Sequence, residues 1–351
     1  KLICKEDPIK KISVKPKSGL LTLLQSDTIY GHFCWRLLEV KGEPALAKFI
    51  DLYTKGKPVF TVSDGLYEVD GEVLFPRPIM PKDGNNSDYT SKTDTKEEKI
   101  KKFLDKKKDR ENRYVSPKCL QAFLNGDFAK YEGLLKTDLA SSPKIIKDLR
   151  IHVGIDRNTL TNCEGLLFEQ NPEYLGDATS YAILVKILDS PAYNDFEVES
   201  IFEDVFVTGF GKKKSSGYGA IEWNGMDDYT KLTEPIEGCN GFYALGNYLP
   251  SVEDEIKDGY YRFFVKYGKL GETGASGPNP FKKPMIMMKP GSCFEVGDAK
   301  KFYGRITNHK EISSTENVRQ FGMPFTLNIK KFPKSDSSGE TNDTISGSGS
   351  E

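Results

Sequence analysis

The stretch Gly209-Phe210-Gly211-Lys212-Lys213-Lys214-Ser215-Ser216-Gly217-Tyr218-Gly219 carries the residue types best suited to handling a polyanion. Its glycines permit positive φ and close backbone approach to a ligand, while its lysines and serines supply charge and hydroxyl donors. Backbone amides and the ammonium groups of Lys212 to Lys214 would meet phosphates, and a splayed base could stack on Phe210 or Tyr218. The spacing excludes two nucleotide motifs. A triphosphate loop needs Lys and Ser/Thr directly after its second glycine, whereas Tyr218-Gly219 follows Gly217. A dinucleotide fingerprint counted from Gly209 and Gly211 puts Lys214 where the third glycine belongs. Taken alone, the pattern equally describes a hairpin turn with a solvated lysine tip, and Tyr218 equally a core strand residue.

Other candidates are sparser. His32 and Arg36 follow Thr28 at one-turn intervals and share a helix face. They either touch a ligand or are a part-buried histidine and a surface arginine. Arg157, in the turn Asp156-Arg157-Asn158-Thr159, either clamps a phosphate or pairs locally. Metal-independent RNA cleavage needs a base with a pKa near the operating pH. Only His32, His152 and His309 are available, and His32 with Tyr30 and a glycine-loop lysine is the set from which such a site could be assembled. Asp27 is explained as a helix cap rather than a metal ligand. The six cysteines stand singly, with no C-x-x-C, which argues against structural zinc and for a reducing, cytoplasmic setting. No cofactor motif and no metal set is expected.

Fifty basic against fifty-one acidic side chains leave a net charge of −1, so any polyanion site must be a local patch. No apolar run approaches ~20 residues, and no membrane association is expected. At 351 residues the chain is long enough for two cores.

These residues must be held by elements that the pattern also predicts. Residues 9–24 read as a strand, a turn at Pro16 to Gly19 and a buried continuation. Ser26-Asp27-Thr28 opens a helix whose rhythm is Ile29, Phe33, Leu37 and Val40, with Ser26 or Asp27 as its cap, and Gly42-Glu43-Pro44 ends it before a second helix at 45–54. Strands are expected at 58–63, 66–69 and 72–75, then a stiff Pro-rich segment to Pro81 and a lysine-rich insertion at 82–118 containing a charged helix at 96–113. A helix at 118–124 follows. A second module is expected from 145, with strands at 149–155, 164–169 and 181–188, a helix at 195–207, the glycine loop and a strand at 218–223. Later strands are expected to return to the first module's sheet. The predicted class is α+β, two ferredoxin-like modules at 1–144 and 145–332, with a disordered tail at 333–351.

Four stretches in order carry a family likeness: Leu24-Gln25-Ser26-Asp27-Thr28-Ile29-Tyr30-Gly31, Phe75-Pro76-Arg77-Pro78, Ile155-Asp156-Arg157-Asn158-Thr159 with Glu164-Gly165-Leu166-Leu167-Phe168, and the glycine loop before Tyr218-Gly219. Together with Pro290-Gly291-Ser292-Cys293-Phe294 they resemble the RAMP superfamily of CRISPR proteins, and within it the fourth-subunit family of type III-A effector complexes. The insertion at 82–118 and the tail have no counterpart in that pattern. The resemblance implies two RNA-recognition-type folds and a non-catalytic RNA-binding role. It implies capping of the 5′ repeat-derived handle of a CRISPR RNA, with Ser26, His32, Arg36, Arg157 and the glycine loop as contacts. Partners would be the large polymerase-like subunit on one side and the repeating backbone subunit on the other. An RNA-processing endoribonuclease of the same superfamily is the alternative.

Overall fold

Ile12 and Val14 point to the same side of one strand and are fully buried, and that strand, Ile9–Pro16 (β1), is an inner strand of the larger sheet. The computed structural model describes residues 7–81, 95–97, 113–137, 143–271, 280–314 and 318–334. Helices Ser26–Lys41 (α1) and Glu43–Thr54 (α2) follow β1, then strands Phe60–Val62 (β2), Leu66–Val69 (β3) and Glu72–Val73 (β4). A large excursion comes next. It contains Phe75–Pro76 (β5) paired with Tyr114–Val115 (β6), helices Pro117–Leu124 (α3) and Phe128–Thr137 (α4), and strands Ile145–Lys147 (β7), Arg150–Ile155 (β8), Asn162–Gln170 (β9) and Glu173–Leu175 (β10). The chain re-enters the sheet as Thr179–Ile187 (β11), crosses it through helices Ser190–Asp195 (α5) and Val198–Val207 (α6), and closes it with Ile221–Asp228 (β12).

The sheet order is β12-β1-β11-β3-β4, antiparallel throughout, with Ile12 opposite both Ile183 and Met226. Tyr181 to Ile187 is buried along its whole length, as expected of a central strand covered on both faces. One face holds Ile12, Val14, Ile183 and Val185 against Phe33 and Leu37 of α1 and Phe202 and Phe206 of α6.

The remaining strands build a sheet of their own. Gly241–Ala244 (β13), Asp258–Tyr260 (β14), Cys293–Glu295 (β17) and Thr326–Ile329 (β20) pair in the order β14-β17-β13-β20. Between them lie the ribbon Phe263–Lys266 (β15) with Met285–Met288 (β16), the pair Arg305–Ile306 (β18) with Phe321–Gly322 (β19), and helix His309–Ile312 (α7). Numbered in chain order within each sheet, β1, β3, β11, β12 and β13, β14, β17, β20 both run 4-1-3-2. Residues 80–112 and 333–351 fall in a separate unit.

The α+β class is observed, but the boundary at 144/145 is not. The 181–188 strand lies between β1 and β3, with β12 on the far edge of β1, because the continuous apolar run of β11 suits the middle of the sheet rather than an edge. The 149–155 and 164–169 strands stay out of that sheet as a separate β8–β9 hairpin, and the late strands do not return to it. The predicted 195–207 helix is broken at Glu197, which takes a left-handed φ of 54°. Val40 is exposed, so the apolar rhythm of α1 ends a turn early. Most of the lysine-rich insertion, including its charged helix beyond Glu97, and the tail after Lys334 lie outside the described residues.

What joins the two sheets is polar as well as apolar. Asp27 does not cap α1, whose N-cap is Gln25 without a side-chain cap bond. It is instead buried, with Oδ1 accepting from Asn247 Nδ2 at 2.8 Å and Oδ2 from Gln320 Nε2 at 2.6 Å, and it pairs with Lys266 Nζ at 3.0 Å. Lys186, also buried, donates to Thr326 O at 2.6 Å and pairs with Glu234 at 2.7 Å. Breaking a buried pair leaves the partner charge uncompensated, at about 3–5 kcal/mol. Asp27→Ala is therefore expected to lower the unfolding free energy by an amount in that range, read as a lower urea midpoint at an unchanged m-value; a loss within ~0.5 kcal/mol would show that Asp27 is not a hub of the fold.

Candidate nucleic-acid interface

The glycine loop leaves α6 at Gly209 and returns to β12, and its shape requires the glycines. Gly209, Gly211, Gly217 and Gly219 have φ between +71° and +88°. A Cβ on Gly219 would collide with the carbonyl oxygen of Phe210, and one on Gly211 would sit 2.6 Å from Thr22 Cβ. Lys213 itself adopts φ +59°, and Lys214–Ser216 form a single 3₁₀ turn at the tip.

The loop is pinned from below, by its own amides. Phe210 N–H donates to Gly219 O at 2.8 Å and Gly219 N–H to Gly19 O at 3.1 Å. Gly211 N–H donates to His32 Nε2 at 3.3 Å, Lys212 N–H to Thr22 Oγ1 at 3.1 Å and Ala220 N–H to Ser18 Oγ at 3.0 Å. The amides of Gly209, Ser216, Gly217 and Tyr218 also bind carbonyls within the loop or at the end of α6. The expectation of a backbone cradle across Gly209–Gly219 is thereby corrected, since most of those donors are consumed. What remains outward is Lys212, Lys213, Lys214, Ser215 and Ser216, all exposed. None of these lysines pairs with a carboxylate among the described residues.

Phe210 is not available for stacking. It is 1% exposed and packs against His32, ring centroids 4.3 Å apart, and Phe206 at 6.1 Å. Tyr218 is half-buried, and its hydroxyl lies 3.3 Å from Arg150 Nη1. His32 sits beneath the loop rather than beside a ligand. Burial first, and the charge of Lys214 second, depress it from 6.5 to about 4, which keeps it the neutral acceptor that Gly211 needs. Arg36 is engaged by Asp204 at 3.2 Å and Glu39 at 3.0 Å, tying α1 to α6. Ser26 is buried, its N–H donating to Asp64 Oδ1 at 2.8 Å and its Oγ accepting from Asn247 N–H at 2.9 Å. Arg157 stands exposed at the tip of the β8–β9 hairpin, in a turn closed by Asn158 N–H donating to Asp156 Oδ1 at 2.7 Å. Among the described residues no group of three or more His, Cys, Asp or Glu is placed to hold a metal ion, and no helix is long and apolar enough to cross a membrane.

The hairpin supplies neighbours that the loop sequence did not announce. Lys213 Nζ lies 5.0 Å from the Phe168 ring centroid, Phe168 stacks on His152 at 5.1 Å, and Arg150 reaches both Tyr218 and Tyr174. The signal was an inverted pattern: Ile151, Val153, Ile155, Leu160 and Leu167 are all exposed.

No family model and no curated protein matches the chain. Solved structures do. A chain of the Csm3-Csm4 subcomplex in the type III-A CRISPR-Cas interference complex is 16% identical, covering 90% of this chain and 99% of its own, with a TM-score of 0.54. The two chains share a fold. Chains of Csm1-Csm4 cassettes, in complex with pppApA and with cA4, are each 13% identical over 93% of this chain with TM-scores of 0.55, covering 99% and 100% of their own length. The likeness is one of fold, and it extends over nearly the whole length of those chains.

Two groups at the ends of this framework titrate in opposite senses. Burial, with Asp27 close by, raises Asp64 from 3.8 to about 7. The folded protein then holds a proton that the unfolded chain releases, so this contribution to stability is lost as pH rises from about 4 to about 7. His32 at about 4 refuses a proton that the unfolded chain accepts near 6.5, so its contribution is lost as pH falls through that window. Asp64→Asn should leave a stability that climbs between pH 4 and 6.5, and His32→Gln one that declines between pH 4 and 7. Urea titrations at stepped pH check this, and parallel pH profiles for the two variants would contradict it.

Proposed function

We propose that this chain is a non-catalytic RNA-binding subunit of a type III CRISPR ribonucleoprotein. In this reading it caps the 5′ repeat-derived handle of the CRISPR RNA and links the large polymerase-like subunit to the backbone subunits for antiviral defence. The two 4-1-3-2 sheets are read as two ferredoxin-like modules. The observation that carries the proposal is the lysine tip: three consecutive ammonium groups without carboxylate partners among the described residues, on a loop whose backbone is already bonded beneath. In a chain of net charge −1 such a tip is a local polyanion site. Phosphate contacts of this kind position a strand without reading its sequence. The likeness to chains from Csm3-Csm4 and Csm1-Csm4 structures supports the assembly and the two partners.

The geometry disfavours the ribonuclease alternative. His32 has Nε2 occupied by Gly211 N–H and is depressed to about 4, far from a base poised near neutral pH. Its imidazole supports the loop that would touch RNA.

Handle RNA binding, followed by fluorescence anisotropy across salt concentrations, tests the proposal. Each phosphate contact to a single strand contributes about 0.7 to the slope of log K against log salt. Replacing Lys212, Lys213 and Lys214 together by Ala should weaken binding and flatten that slope by up to about 2. Unchanged affinity and slope would remove the loop from the site. Repeat RNA incubated with the wild type and with His32→Ala should stay intact in both; specific cleavage lost in the variant would restore the nuclease reading.

A further inference from the structure

The ribbon β15–β16 turns the usual alternation inside out. Phe263 pairs with Met288, Phe264 with Met287, Val265 with Ile286 and Lys266 with Met285, and an isolated bridge between Lys269 and Phe281 prolongs it. Met287 is buried and Lys266 reaches inward, donating to Gln25 Oε1 at 2.6 Å and pairing with Asp27. The opposite face carries Phe263, Val265, Tyr267 and Lys269, with Ile286 and Phe281 across from them. Phe263 is 64% exposed, Tyr267 75% and Phe281 62%. A solvated ribbon face is ordinarily polar. Here three of the six are rings and two more are aliphatic.

Its charge is one-sided. From Gly259 to Phe294 the sequence has six Lys/Arg and one acidic residue, Glu272, which lies outside the described residues. Lys266 and Lys282 turn inward, leaving Arg262, Lys269, Lys283 and Lys289 exposed. Lys269 Nζ stands 5.9 Å from the Phe281 ring centroid.

The ribbon also meets the helix that supports the glycine loop. His32 of α1 accepts Gly211 N–H, and a Cβ placed on Gly271, just beyond the ribbon's first strand, would lie 3.1 Å from Trp35 Nε1. Residues three apart on a helix are surface neighbours, about 5–6 Å between Cβ atoms. Loop and ribbon therefore flank one turn of α1.

We infer that the outward face of β15–β16 is a stacking platform for single-stranded nucleic acid, onto which a strand held at Lys212–Lys214 continues past α1. The inference rests on the reading of the loop as a phosphate site. Phe263 and Tyr267, four positions apart on one face of the strand, stand about 13 Å apart, about four times the 3.4 Å per nucleotide of a stacked strand. Bases drawn out of their stack can lie on Phe263, Tyr267 and Phe281, with Lys269 beside the phosphates. Ring faces beside Lys269, at the edge of a ribbon whose exposed charges are all basic among the described residues, match a strand of bases and phosphates. A duplex, its base faces covered, gains nothing there.

The test uses the full chain with two single-stranded RNA probes carrying 2-aminopurine: one short enough to occupy the loop alone, one long enough to reach the ribbon. Phe263→Ala/Tyr267→Ala/Phe281→Ala, at exposed positions and checked by thermal melting, should weaken the long probe about five-fold to a hundred-fold and leave the short probe unchanged. The fluorescence change of the distal 2-aminopurine should disappear in that variant, and a duplex of equal length should be indifferent to it. Wild-type affinity of the variant for the long probe, with the lysine variant still impaired, would overturn the platform and leave the loop reading standing. Loss of binding to neither probe in either variant would overturn both. A concentration-dependent self-association of the wild type, absent in the ring variant with RNA affinity intact, would assign the face to protein contact and likewise overturn the inference.

Discussion

One buried carboxylate settles how the two halves of this protein meet. Asp27 lies in the first turn of α1, where the helix dipole already favours negative charge. It gathers donors from the loop after β13, from the ribbon and from the entry to β19: Asn247, Lys266 and Gln320. Those three residues are separated by 73 positions of sequence, from 247 to 320, and their convergence fixes the second sheet against the N-terminus of a helix belonging to the first. Apolar contacts such as the stacking of Tyr30 on Phe321, 4.5 Å between centroids, supply area, but they are tolerant of small rotations. Directed, charge-assisted bonds in a low-dielectric setting are not.

The same helix then carries the loop. Phe33 and Leu37 face the core, while His32 and Arg36 hold Gly211 and Asp204. The polyanion site proposed for the loop has a division of labour. The backbone of Gly209–Gly219 is spent on internal bonds that make the shape rigid, and the charge is delegated to side chains that remain free to follow a ligand. Rigid support beneath mobile ammonium groups gives attraction without a demand for one exact phosphate geometry, which suits positioning rather than readout.

Much of this was legible in the residues and some was not. Helix α1, the Asp70-Gly71 turn and β11 followed from period and turn chemistry, because each is decided by neighbours in sequence. Ser26 and Asp27 were misread as caps, since a Ser-Asp-Thr run at a helix start has that local use and nothing nearby reveals Asn247 or Gln320. For Phe210 the sequence offers a stacking ring and for His32 either a ligand contact or a part-buried histidine; neighbours in sequence do not reveal that the ring of one and the acceptor of the other close the loop on its support. The division into modules failed for a topological reason. Sequence proximity grouped β8 and β9 with β11, but the order 4-1-3-2 needs its third strand beside its first, and an excursion of any length can precede it.

That excursion has a consequence for how the molecule comes into being. Ile9 finds Lys186 and Lys10 finds Asp228, so this inner strand leaves the ribosome before both of its neighbours and waits for partners made long afterwards. Closing contacts at such separation is entropically costly before it is rewarded, and topologies rich in them fold slowly. Until then β1 exposes both edges of an apolar strand, with Lys10, Lys11 and Lys15 as its guard against premature pairing with another nascent chain.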